Sequence, residues 1–133
     1  MKPFIKYSFL FLGMSLFAAC QKKDNTTPDP SKVTINIASP TAGNIFHTGD
    51  TINVSADFSY ISEMHGVAVT ITDSATGEEL FEADQDLHTD HFPWAQSWVD
   101  TCTQPTTLII KYIAFITDTG EEGNKTITVY SKP

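Results

Sequence analysis

Imidazole nitrogen beside carboxylate oxygen is the donor set that suits Zn(II) or Cu(II). The chain offers it in His88-Thr-Asp90-His91, with His65 further upstream. Two histidines three apart in a loop can reach one ion, although that spacing aligns side chains best on a helix. Asp84, Asp86 and Asp90 add hard oxygens of the kind Ca(II) takes, but the EF-hand spacing and its glycine are missing. Phe92-Pro-Trp94 and Trp98 form a second group, since exposed aromatic rings stack on sugars or anchor protein interfaces. Trp94 and Trp98 share strand parity with Gln96, and the alternating Ala95, Ser97 and Val99 are too small to fill a core. Both indoles are therefore expected to face inward, with Phe92 and Trp94 the aromatic candidates for ligand contact.

Motifs for catalysis are missing. There is no Gly-x-Ser-x-Gly elbow, His-Glu-x-x-His, phosphate loop or dinucleotide fingerprint. Cys102 has no histidine near it in sequence and is expected to be a small buried hydrophobe. Lys111, amid Ile109, Ile113 and Phe115, is expected to carry its amine to the sheet margin. The expectation is a protein that is not an enzyme and needs no cofactor, with Zn or Cu as the alternative.

These side chains must be positioned by short strands. From Lys32 onward the hydrophobic period is two: Val33, Ile35 and Ile37, then Ile52, Val54, Ala56, Phe58 and Tyr60, then Val67, Val69 and Ile71. Further strands are read at residues 79–83, 95–99, 108–117 and 126–130. The fourth is acidic, which suits an edge, and the sixth is apolar on both faces, which suits a centre. Turn clusters such as Ser39-Pro-Thr-Ala-Gly43 and Asp73-Ser-Ala-Thr-Gly77 separate them. Seven short strands in about 100 residues read as one all-β antiparallel sandwich over residues 32–133.

The first nineteen residues have a different character. Lys2 and Lys6 precede an almost wholly apolar stretch at 7–19, too short for a bilayer span but of signal-peptide length. The stretch ends in Leu16-Phe-Ala-Ala-Cys20. This resembles the lipobox of bacterial lipoproteins, with Phe17 where that motif prefers Leu. The resemblance implies a signal peptide at 1–19, cleavage before Cys20 and acylation of Cys20. It also implies a membrane partner through the lipid, and an outer-membrane address on the periplasmic face or the cell surface. Residues 21–25 loosely resemble the surface-export signals of Bacteroidota-type lipoproteins. Residues 20–31 are expected to form an extended tether containing Pro28 and Pro30.

Tyr112-Ile-Ala114 followed by Thr117-Asp-Thr-Gly120 resembles the tyrosine-corner strand of immunoglobulin-like (Ig-like) domains. The opening Ser39-Pro…Gly43…Gly49-Asp-Thr-Ile52 resembles bacterial Ig-like modules, including uncharacterised lipoproteins of Bacteroidota-type bacteria. The resemblance implies a seven-stranded Ig-like sandwich in which the connections after strands two, four and six share one end. His65, then His88 and His91, then Glu121 and Glu122 would converge there, with His47 at the opposite end. A metal site of His65, His88, His91 and Asp90 is one expectation. The other is a non-catalytic binding or assembly domain engaging protein or glycan through its end loops. Loss of Lys2 and Lys6 with the signal leaves a formal charge of −10. That excludes nucleic acid, which demands a basic face.

Overall fold

The computed structural model describes residues 27–133. The expected signal peptide, Cys20 and the first part of the expected tether lie outside the described residues.

The described chain is almost entirely strand: β1 (Thr34–Ser39), β2 (Ile45–His47), β3 (Thr51–Asp73), β4 (Glu79–Val99), β5 (Thr106–Phe115) and β6 (Glu122–Lys132), preceded by one 3₁₀ turn at Pro30–Lys32. Hydrogen bonding runs β1-β3-β5-β6-β2, with β4 paired to β3. That single sheet curls into two layers because β3 and β4 each cross between them. In layer one, residues 51–59 of β3 lie between β1 and residues 91–99 of β4. In layer two, residues 66–73 of β3 lie between residues 79–86 of β4 and β5. The ladder shifts register twice between Ser59 and Gly66, where β3 passes from one layer to the other.

The architecture is the all-β, Ig-like sandwich read from the sequence. Its seven expected strands correspond to β1, the two halves of β3, the two halves of β4, β5 and β6. Two details differ. The expected loops after strands two and four are continuous bent strand. In addition, the short β2 pairs in parallel with β6, so the chain moves from the edge of layer one to the edge of layer two.

Alternation decides the core. Ile52, Val54, Ala56 and Phe58 from layer one meet Val67, Val69, Ile71, Leu108, Ile110, Tyr112 and Val129 from layer two, all buried. Phe92, Trp94 and Trp98 sit half-buried against this core, with the inward parity expected of the indoles. The acidic segment at 79–86 is the edge of layer two, as its charges suggested. Glu79 and Asp84 flank Glu82 and raise its carboxyl above the ordinary range, with Glu79 the larger influence. Cys102 is an unpaired thiol, half-buried against the core. Lys111 reaches Glu122, its Nζ 2.8 Å from Oε1.

Tyr112 departs from the tyrosine-corner pattern. Its hydroxyl donates to the Ser39 carbonyl at 2.7 Å, joining layer two to the end of β1 rather than to its own corner. The tether also departs from a fully extended form at its end. Asp29 caps the 3₁₀ turn by accepting from the Ser31 N–H at 3.0 Å, and its own N–H donates to the Tyr60 hydroxyl at 3.0 Å. Proline at the first position of that turn loses no hydrogen bond, which is why this polar segment can fold locally.

Candidate functional site

One end of the sandwich gathers the crossing of β3, the crossing of β4 and the β5–β6 connection. Two histidine–carboxylate pairs stand there side by side. His65 Nδ1 lies 2.7 Å from Asp118 Oδ1. His88 Nδ1 lies 2.9 Å from Glu63 Oε1. The two imidazole rings are edge-to-face, with centroids 5.3 Å apart and planes at 76°. Four side chains from three separate stretches of sequence thus form one cluster.

The local sequence explains the placement. Gly120 takes φ of +92°, a left-handed conformation suited to glycine, and its N–H donates to the Thr117 carbonyl. The resulting Thr117-Asp-Thr-Gly120 turn holds Asp118 out towards His65. A carboxylate accepting at Nδ1 selects the tautomer with hydrogen on Nδ1 and the lone pair on Nε2.

Beside the pairs lies an open cleft of about 440 Å³. Pro28, Tyr60, Glu63, His65, Thr117 and Asp118 are among its lining residues. Its polar groups are hydroxyls, carboxylates and an imidazole. Pro28 brings the end of the tether to the same opening, so the chain enters the domain at its histidine end.

The expected convergence is therefore met by two histidines, not three. His91 Nε2 lies 2.7 Å from Asp57 Oδ1, in layer one. The reason is that 88–91 is strand, not loop, and β4 changes layer there: Thr89 pairs with Met64 at the crossing, whereas His91 already pairs with Ser59. The two rings consequently leave the chain on different layers. Asp90 is exposed, and among the described residues no ion pair joins it to either ring. Among the described residues, no group of three or more His, Cys, Asp or Glu side chains is placed to hold a metal ion. His47 lies at the opposite end, as expected, 3.7 Å from Asp50.

Two partners escaped the sequence reading. Glu121 and Glu122 were expected to supply the carboxylates of the β5–β6 connection, but Asp118 supplies the one that reaches His65, and Glu122 turns to Lys111. The Thr-Asp-Thr-Gly turn was the available signal, because it exposes its second residue. Glu63 carried no signal, since a bent strand has no fixed parity. Phe92 and Trp94 pack against the core and do not line this cleft; Trp94 instead borders a second opening of about 350 Å³ with Ala38, Asp57 and Pro93.

No family model and no curated protein matches this chain. Among solved structures it is similar to a fibronectin(III)-like module of Clostridium thermocellum CbhA, at 22% identity and a TM-score of 0.46 over 74% of this chain and 96% of that one. It is also similar to the sporulation control protein Spo0M of Bacillus subtilis, at 6% identity and a TM-score of 0.47. That match covers 77% of this chain and 49% of the other.

Proposed function

We propose that this chain is a lipid-anchored envelope protein whose sandwich is a non-catalytic binding or assembly domain, engaging a protein or glycan partner at its histidine end. The cleft carries this reading. It is open, it is built from three chain segments, and its carboxylates and hydroxyls suit a ligand rich in hydrogen-bonding groups.

The point of entry of the chain bears on where the partner sits. Pro28 lies at the cleft, only eight positions along the chain from Cys20. Fully extended, that stretch reaches at most about 28 Å. With Cys20 acylated, the cleft is presented close to the outer membrane, so the partner is a neighbour there. Two acyl chains make such an anchor stable, each buried methylene contributing about 0.8 kcal/mol.

The anchor is tested by Cys20→Ser. The variant is expected to leave the membrane fraction or remain unprocessed; a processed form that still sediments with membranes overturns the address. The cleft is tested in cells by photocrosslinking from Thr119, which lines it, together with a glycan array probed with the purified protein. A crosslinked neighbour or a retained glycan that is lost in Glu63→Gln/Asp118→Asn supports the reading. Capture unchanged by that pair moves the binding surface elsewhere.

A further inference from the structure

We infer that the free edge of β4 from Pro93 to Val99 pairs with the same edge of a second copy of this chain, antiparallel about a two-fold axis at Gln96. The inference goes beyond the binding role above and uses neither the cleft nor the anchor.

Three observations carry it. The first is an open ladder. β4 pairs with β3 alone, so among the described residues no strand lies on its other side. At the end of that ladder the Asp100 N–H donates to the Asp50 carbonyl, and the Asp100 carbonyl accepts from the Gly49 N–H, each at 2.8 Å. From Thr51 opposite Val99 to Ser59 opposite His91 the register does not shift. Backbone groups alternate sides along a strand. Trp94, Gln96 and Trp98 therefore bond to β3, while Pro93, Ala95, Ser97 and Val99 turn their backbone groups outward. Proline thus sits where its missing N–H costs the β3 ladder nothing.

The second is charge. The earlier part of β4 carries Glu79, Glu82, Asp84, Asp86 and Asp90, whereas residues 92–99 carry no charge. An acidic edge discourages a second strand, and this stretch lacks that defence. An axis at Gln96 brings only neutral residues together, because Asp90 then falls beyond the end of the facing strand.

The third is self-complementarity, which a two-fold seam requires. About Gln96, Ala95 lies opposite the partner's Ser97, and the two exchange both backbone hydrogen bonds. The Val99 N–H donates to the carbonyl of the partner's Pro93, and the Val99 carbonyl stays with water. Trp94 meets the partner's Trp98, an aromatic pair of the kind that stabilises adjacent strands. Val99, 51% exposed in the single chain, is covered by the partner's Pro93. None of these residues lines the cleft, so both clefts stay open at opposite ends of the pair.

The test is disulfide crosslinking of the full-length protein in intact cells, in a Cys102→Ser parent, with copper phenanthroline as oxidant. Gln96 faces its own copy across the axis at a Cα separation of about 4.5 Å, within disulfide reach. Gln96→Cys should therefore give a crosslinked dimer, whereas the parent and Gln85→Cys, on the same edge outside the seam, should not. Co-expressed Ala95→Cys and Ser97→Cys copies with different tags should crosslink to each other; both side chains face outward, so neither substitution disturbs the core. Ser97→Pro removes an outward N–H and no bond to β3, and should lower the Gln96→Cys yield about tenfold. Circular dichroism of the purified variant checks that its fold is kept. Absence of both crosslinks overturns the inference, as does a Gln85→Cys dimer of equal yield or a yield unchanged by Ser97→Pro. Capture at the cleft is read from Thr119, so either result can fail without the other.

Discussion

At the scale of single residues, burial sets chemical behaviour more than residue type does. Tyr112 is almost wholly buried, and burial holds its hydroxyl well above the ordinary phenol range. The native state therefore keeps that proton longer than the unfolded chain. The stabilisation is complete below the unfolded pKa of about 10 and is lost as pH rises towards the native value. Denaturant titrations should show stability falling above about pH 10, and less steeply in Tyr112→Phe. At neutral pH that variant should lose about 1–2 kcal/mol, because the Ser39 carbonyl loses its donor. Cys102 behaves similarly: burial, and then the neighbouring Asp100, push its thiol up. Alkylation by iodoacetamide at pH 8 should be several-fold slower in the folded protein than in urea, and equal rates would show an open thiol.

At the scale of elements, two devices hold the histidine end in place. The first is the long bent strand. Because β3 and β4 run through both layers, the crossing segments that carry Glu63, His65 and His88 are tied to core strands on each side. The second is a close approach. An ideal Cβ placed on Gly123 would sit 2.5 Å from Val33 Cβ, so glycine in β6 makes room for the residue that leads into β1. Gly123→Ala should force Val33 away and destabilise the protein by about 1–3 kcal/mol. It should also raise hydrogen exchange at Asp29 and Val33 before it affects β5. Uniform exchange across the domain would show that the entry segment is not pinned at this contact.

At the scale of the whole molecule, one apolar core serves both layers, so the sandwich should unfold as a unit. Phe58 is fully buried in it. Phe58→Ala should cost about 3–5 kcal/mol and leave a single transition seen alike by far-ultraviolet dichroism and tryptophan fluorescence. Two separated transitions would mean that the layers are independent. The acidic edge of β4 belongs to this scale too. Like charges on a strand that pairs on one side only discourage a second chain from extending the sheet.

By itself the sequence determined the class of fold, the order of seven strand segments but not the short β2, the inward parity of Trp94 and Trp98, and an acidic edge at 79–83. These follow from period-two alternation and turn chemistry, which are local and survive in a one-dimensional reading. It also placed His65 and the 88–91 segment at one end and His47 at the other, because strand order alone assigns connections to ends. Only the tertiary structure decided which side chains meet there. Asp118 replaced Glu121 and Glu122, Glu63 joined His88, and His91 went to Asp57, since the outcome turned on where two continuous strands change layer. A register shift within a bend reassigns every face after it, and only packing against the opposite layer fixes where that shift falls.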